Sequence, residues 1–470
     1  IVARASRGHD VSMPHPGWAE HDADAVWWDD LCSITRELAA AVEGERVRAL
    51  GVSGLGPAFL PLDEHDRPLR PAILYGIDTR ASAEIDELIG RYGAERVLER
   101  CGGAITSQSV GPKALWVRRH EPETWAHSRR FGMVASYLVL RLTGEYVLDH
   151  VSASLCTPLY DIGQRDWIAD RADEVAPGLG LPELRWATEP AGVLGRKAAD
   201  EVGLPPGISV STGTIDAWAE ATSIGVREPG EAMLMYGTAL TLVELLSPFR
   251  PLSAMWGCAG ALPETWSLAG GVTTSGALTK WLRRLVGDVP YETLLDEAAA
   301  VEPGAEGLLL LPYFSGERNP FYDPDARGVI AGLSLNHGRG HLYRAVLEGT
   351  AMGARHMLEA LADAGHVPTR MVAVGGGSRH PLWPQVVSDV SGVAQQLPAE
   401  TVGASYGDAW LGGVAAGLLD PQSDWSQIVA TVEPDPARHE LYEELYRFFR
   451  ELYPATADVV HDLARHARTT

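Results

Sequence analysis

The order of apolar and polar positions divides the chain into a first half of interleaved strands and helices and a second half that opens on a hairpin. Pro14, Pro16 and Gly17 break the opening segment. Asp22-Ala-Asp24 can cap an amphipathic run from Ala25 to about Val42, whose Trp28, Leu31, Leu38 and Val42 fall at helical spacing. Val47 to Ser53 alternates like a half-buried strand, and Phe59-Leu-Pro-Leu62 before Asp63-Glu-His-Asp-Arg67 predicts a strand leaving through a turn. Strand and helix patterns then alternate to about Gly225, as in an α/β fold.

After a break at Gly225-Val-Arg-Glu-Pro-Gly230, the runs Ala232 to Tyr236 and Ala239 to Leu245 about Gly237-Thr238 predict a hairpin. Helices are expected from Gly276 to about Val286 and from His341 to about Ala364. Met371 to Val374, the turn Gly375-Gly-Gly-Ser378 and a helix through Val387 read as strand, glycine turn and helix. A last amphipathic helix is expected from about Pro436 to Tyr453, followed by a short polar tail. Two successive α/β units of similar size predict a bilobal protein with a cleft, divided into residues 1–225 and 226–470.

Length and composition agree with this division: 470 residues suit about two to three domains. The apolar share is 46% and the charged share 21%, as in ordinary globular proteins rather than disordered ones. With 39 basic and 62 acidic side chains the formal charge is −23, which lacks the basic footprint of a nucleic-acid or anionic-membrane binder. Cys32, Cys101, Cys156 and Cys258 are widely separated and show no zinc or disulfide spacing, which fits a reducing cytoplasm. No apolar run of about 18 residues suits a membrane span, and no basic-plus-apolar leader is visible.

Familiar nucleotide and hydrolase motifs are absent. The lysines are Lys113, Lys197 and Lys280, and none follows a P-loop; Gly54-Leu-Gly56-Pro fails GxGxxG because Phe59 replaces the third glycine. Gly51-Val-Ser53-Gly54 fails GxSxG because Leu55 follows, and no HExxH occurs. Three glycine turns instead follow apolar strands: Ser211 to Asp216, Tyr236 to Thr238 and Val374 to Ser378. Backbone N–H groups in such turns can bind phosphate without a basic side chain, although each alone is more often a tight connection. Asp216 ends the first turn and starts a helix. On local sequence it is either a first-turn acid favouring the helix dipole, the commoner case, or a general base beside phosphate-binding amides.

Together these segments resemble the FGGY carbohydrate kinases of the actin-like/hexokinase-like ATPase superfamily, nearest the xylulose-kinase-like branch, over nearly the whole chain. The matching stretches are Pro16-Gly-Trp-Ala-Glu20 with Trp27-Trp28, Asp66 to Leu74, and Ser315-Gly-Glu-Arg-Asn-Pro320 with Ala326-Arg-Gly328. Gly328-Val-Ile-Ala-Gly-Leu333 followed by His341 to Glu348 fits the family's C-terminal signature, and Gly375 to Trp383 its adenosine region. The resemblance implies an α/β fold of two ribonuclease-H-like domains around a central cleft, sugar mainly on the first and ATP mainly on the second. It also implies that the family's first phosphate hairpin, with a metal-associated Asp, is missing before Ile1, so the chain as given is expected to be truncated and impaired.

Carried over by residue, the resemblance makes Asp216 the catalytic aspartate, touching Mg²⁺ indirectly through water. Gly237 and Thr238 fall in the second phosphate loop, Gly276 and Lys280 on the next nucleotide-contacting helix, and Gly375, Gly376, Gly377 and Ser378 beneath the adenosine, with His380 where the family has Asn. Gly56, Asp78, Arg80 and Gln108 fall at the sugar. Gly56-Pro57 replaces the Met-His of xylulose kinases, which opens the substrate to another ketopentose, a polyol or a deoxy sugar. Judged by themselves, Asp78 and Arg80 would be a surface ion pair, worth little. The implied reaction is transfer of phosphate from Mg-ATP to a sugar or polyol hydroxyl, with closure about a hinge near Gly225 to Gly230. A homodimer is an option the family allows. The competing classes are an actin-like nucleotide switch and a non-catalytic nucleotide-binding protein.

Overall fold

The computed structural model describes residues 1–399 and 402–469. The chain forms two compact units, and neither is continuous in sequence. The first contains residues 1–227, 247–267 and 402–425; the second contains 228–246, 268–401 and 426–470, apart from residues outside the description.

In the first unit the expected opening helix is present with a different start. Asp22 accepts from Asp24 N and Ala25 N, capping a π-helical turn Ala23–Trp28, in which Asp29 N–H reaches back to Asp24 O; the α-helix Asp29–Val42 follows. Trp27, Trp28 and Cys32 point into a core that includes Leu60, Leu62, Tyr137, Leu138 and Val210. The single strand expected over Val47 to Ser53 is two short ones. Ala49–Leu50 pairs in parallel with Ser209–Ser211, and Ser53–Gly54 pairs in parallel with Thr214–Ile215. The interruption lets helix Ala404–Ala415 lie against both: a Cβ on Gly51 would fall 1.7 Å from Asp408 O, and one on Gly407 would fall 1.8 Å from Ala219 O. Backbone can approach backbone this closely only without side chains.

The second unit is built on a sheet in the order Trp266–Val272, Leu240–Leu246, Glu231–Tyr236, Arg370–Val374, Gln395–Pro398, Ile428–Val432, its first strand entering the unit at Leu268. The expected hairpin is present, antiparallel from Ala232 opposite Glu244 to Tyr236 opposite Leu240. Glu231–Tyr236 also pairs in parallel with Arg370–Val374, so both strands bring a glycine turn to the same end of the sheet. Helix Arg339–Asp363 is buried along most of its length, from Tyr343 to Leu361. Within it Arg344 Nε donates to Glu348 Oε1 at 2.7 Å, and Tyr442 OH donates to the same oxygen at 2.7 Å, so two charges of the C-terminal signature are core partners. The terminal helix exceeds the expected stop at Tyr453 and runs Pro436–Thr469 through Pro454. Proline normally ends a helix. Here tertiary contacts on the far side hold it: Tyr453 OH and, at 2.7 Å, His461 Nε2 meet Asp323 Oδ2, and Ala464 is buried.

Among the described residues no helix is long and apolar enough to cross a membrane. The four cysteines are free and buried.

Candidate active site

Asp216 opens helix Asp216–Ser223 directly from strand Thr214–Ile215. Gly213, at φ 80°, places that strand: a Cβ there would fall 2.5 Å from Val52 O. Thr214 Oγ1 donates to Asp149 Oδ2 at 2.7 Å, and the same carboxylate caps helix His150–Ser154 by accepting from Val151 N and Ser152 N. Burial pushes Asp149 up to about 6, against the pull of these bonds. A buried carboxylate thus anchors the chain two residues before Asp216.

Asp216 is exposed, and its Oδ1 accepts from Ala217 N at 2.8 Å. The protein around it thins the hydration of the carboxylate and raises its pKa above the ordinary range, with the Ala217 bond acting the other way. Two acids that the sequence reading did not single out share this environment. Glu220, one helical turn on, is pushed up to about 7, first by burial and then by the charge of Asp216. Asp408 accepts from Ser53 Oγ at 2.8 Å, while its Oδ1 is buried without a hydrogen-bond partner among the described residues. Burial, together with the charge of Asp216, pushes Asp408 up to about 7, and the Ser53 bond opposes this. Ionised Asp216 is therefore flanked by acids that hold protons near neutrality.

Of the expected sugar residues, Gly56 lies against the residue before Asp216, since a Cβ there would meet Ile215 Cδ1 at 2.8 Å. Asp78 and Arg80 correct one expectation: they form a buried pair, not a surface pair, each side chain 1% exposed, with Arg80 Nη2 to Asp78 Oδ2 at 2.7 Å. Asp78 Oδ2 also accepts from Ala19 N, Arg80 Nη1 donates to Glu20 Oε1, and the guanidinium lies 3.9 Å from the Trp18 ring centroid. Gln108 is brought to the same segment, its Oε1 accepting from Gly76 N at 3.0 Å. Two cavities of this unit, about 370 and 580 Å³, are lined by none of these residues.

In the second unit the three expected nucleotide segments meet. Gly276 N donates to Gly237 O, and Ser275 N and Ala277 N both donate to Thr238 O, tying the start of helix Gly276–Leu285 to the hairpin turn. A Cβ on Gly276 would fall 2.5 Å from Gly237 O, and one on Gly375, which sits at φ 92°, 2.7 Å from Tyr236 O. The first-turn amides of that helix are thus already engaged by carbonyls. The N–H groups of Thr238 and Ala239 make no hydrogen bond among the described residues, and Thr238 is exposed. Gly376 has open space around it, Gly377 lies against the Trp383 ring, and Ser378 Oγ closes the turn on Gly375 O at 2.9 Å. Lys280 is exposed on the same helix as Gly276. His380 Nδ1 accepts from Leu382 N, leaving Nε2 as its other polar atom. Glu317, buried, accepts from both Thr273 N and Thr273 Oγ1 through Oε1, and so braces the segment entering Gly276.

No cluster of three or more His, Cys, Asp or Glu suited to a metal occurs among the described residues. An exposed carboxylate such as Asp216 does fit Mg²⁺, which keeps several waters and takes few protein ligands beside phosphate oxygens.

Comparison with known proteins accounts for both halves of this arrangement. Residues 1–223 match the N-terminal domain of the FGGY family of carbohydrate kinases, and residues 232–416 match the C-terminal domain of the same family. The chain belongs to the FGGY family of carbohydrate kinases. This carbohydrate kinase is 32% identical to the xylulose kinase of Escherichia coli (strain K12) over 466 residues, covering 96% of this chain and 94% of the relative. It is 31% identical to a glycerol kinase of Nocardia farcinica over 460 residues, covering 91% and 88%. The crystal structure of xylulose kinase from Rhodospirillum rubrum superimposes with a TM-score of 0.87 at 32% identity, covering 97% of this chain and 94% of that one. The two-domain actin-like ATPase fold expected from the sequence is therefore the fold of this kinase, and its reaction class is phosphorylation of a sugar or polyol.

The sequence carried one signal for an acid the reading passed over: Glu220 stands four residues after Asp216, on the same helical face. Asp408 gave none, because its relation to Asp216 and Ser53 exists only once helix Ala404–Ala415, distant in sequence, packs within the first unit.

Proposed function

We propose that this kinase transfers phosphate from Mg-ATP to a hydroxyl of a ketopentose such as xylulose or ribulose, or of a related polyol, with Asp216 as general base. The observation that carries the proposal is Asp216 itself: an exposed carboxylate of raised pKa on a strand end anchored by Asp149. A raised pKa moves a carboxylate toward the value at which it can both ionise at neutral pH and take a proton from an alcohol. Phosphoryl transfer has a loose transition state, so the protein's work is alignment and charge neutralisation. Bound Mg²⁺ supplies neutralisation of the phosphate oxygens, and Asp216 is the group in this chain that would hold it through water.

The amides of Thr238 and Ala239 are suited to phosphate oxygens, and the open face of Gly376 lets a nucleotide approach backbone closely. Gly56, Asp78, Arg80 and Gln108 are assigned to the sugar. Asp78 and Arg80 contribute mainly by holding the Gly76 segment rigid, since their charges are spent on each other. The xylulose kinase and glycerol kinase relatives support a small polyhydroxylated acceptor. The test is ATP consumption against a panel of ketoses, aldoses and polyols. Stimulation by one of them, and its loss by roughly 10²–10⁴-fold in Asp216→Asn, is expected. A variant with normal turnover would remove Asp216 from the role of base, and a panel with no stimulation above the water background would remove the substrate class.

A further inference from the structure

The chain contains three lysines, and its other 36 basic side chains (39 − 3) are arginines. Lys197 and Lys280 are exposed, whereas Lys113 is 2% exposed, one of the largest fully buried side chains in the molecule. Among the described residues no carboxylate accepts from it. Its Nζ donates instead to two main-chain carbonyls, Ser107 O and, at 3.1 Å, Ser109 O. These two residues flank Gln108. The turn that carries them is closed on itself by Ser109 N to Thr106 O, Thr106 N to Ser109 Oγ and Gln108 N to Thr106 Oγ1. It is joined to the neighbouring segment twice, by Gly76 N to Gln108 Oε1 and by Ser107 Oγ to Gly76 O. The fit is close: a Cβ on Gly76 would fall 2.9 Å from Gln108 Cδ.

We propose that Lys113 is the positioning residue of the sugar subsite, its buried ammonium clamping the carbonyls on either side of Gln108 and so fixing where Gln108 stands against Gly76 and the Asp78–Arg80 pair. This rests on the assignment of those residues to the sugar. An ammonium suits the task because it is a compact charge with three donors, whereas a guanidinium is a broad planar fork. The charged groups that act on it are Asp78, which favours the ammonium, and Arg80, which opposes it, from the segment beside Gly76; Cys156 is the other titratable group that acts on it, and burial keeps that thiol protonated. Burial outweighs them and pushes Lys113 down to about 7. Below that value the clamp is charged and strong; above it the neutral amine donates weakly, and the turn is held by its own bonds alone.

The test uses the sugar that the intact protein phosphorylates best. In Lys113→Met the KM for sugar is expected to rise roughly tenfold, the equivalent of losing one charge-assisted hydrogen bond, with the KM for ATP unchanged. In the unaltered protein the sugar KM is expected to climb as pH passes upward through about 7, and this climb should be absent from Lys113→Met. A folded variant with unchanged sugar KM, or an equal rise in both KM values, overturns the proposal. Should the variant fail to fold, a sugar KM in the unaltered protein that is flat across the same pH window overturns it instead. A panel in which the intact protein phosphorylates nothing overturns the sugar assignment and this inference together, whereas the other adverse outcomes remove the inference alone.

Discussion

The charge of Asp216 opposes the ionisation of Glu220 and of Asp408, and the three acids have different measurable consequences. A general base works only when ionised, so a raised pKa at Asp216 places the acid limb of kcat/KM above the range of a free carboxylate. Glu220, raised to about 7 by burial and by the charge of Asp216, still holds its proton where Asp216 ionises. Glu220→Gln is therefore expected to leave that limb in place, read from the pH profile of turnover, because Gln resembles the protonated acid. Asp408 bears on stability. Its folded pKa of about 7 lies above its ordinary 3.8, so the protonated folded form is favoured. Stability from this group is complete below about 4 and is lost as pH rises through about 7. Asp408→Asn keeps an acceptor for Ser53 and removes the buried charge. The expected result is a Tm raised by roughly 2–4 °C in thermal melts above neutral pH, with the difference closing as the pH falls.

At the scale of elements, the site depends on how closely helix Ala404–Ala415 approaches helix Asp216–Ser223. Gly407→Ala would push a methyl group into Ala219 O, where a Cβ has only 1.8 Å. The expected cost is about 1–3 kcal/mol of stability, seen in denaturant melts, with a fall in kcat because the displaced helix carries Asp216. The elements themselves were largely legible. The hairpin about Gly237-Thr238 and the strand, turn and helix after Met371 follow from apolar runs that glycine interrupts. Val47 to Ser53 and the terminal helix departed from the pattern, each for a tertiary reason. Val47 to Ser53 splits because helix Ala404–Ala415 claims the space over Gly51, and the terminal helix outlasts Pro454 because Asp323 holds Tyr453 and His461. Period and propensity describe a segment alone, and neither registers a partner hundreds of residues away.

For the whole molecule, the decisive fact is that the first unit draws on three separate stretches. Residues 1–227 alone would lack Ser267, which accepts from Trp218 Nε1 at 2.9 Å, and Ala259, whose N–H donates to Ser154 Oγ. They would also lack Trp410, which is buried beneath the Arg227 guanidinium. A fragment ending at Arg227 is expected to show no cooperative thermal transition and weak near-UV circular dichroism, whereas the intact chain shows both. A fragment that melts cooperatively with the intact chain's near-UV spectrum would show that the later stretches are not needed for the core of this unit.

The sequence by itself determined the alternation of strand and helix, the three glycine turns and the family resemblance that comparison then established. These are properties of local periodicity and of short motifs, where each residue's type constrains its own backbone. Only the tertiary structure decided which groups interact: that Asp78 and Arg80 are buried and mutually neutralised, that the amides opening helix Gly276–Leu285 are engaged by the hairpin turn while those of Thr238 and Ala239 are not engaged among the described residues, and that Asp216 presses on Glu220 and Asp408. Burial and charge coupling depend on distance in space rather than along the chain, and they set what a carboxylate or a lysine can do.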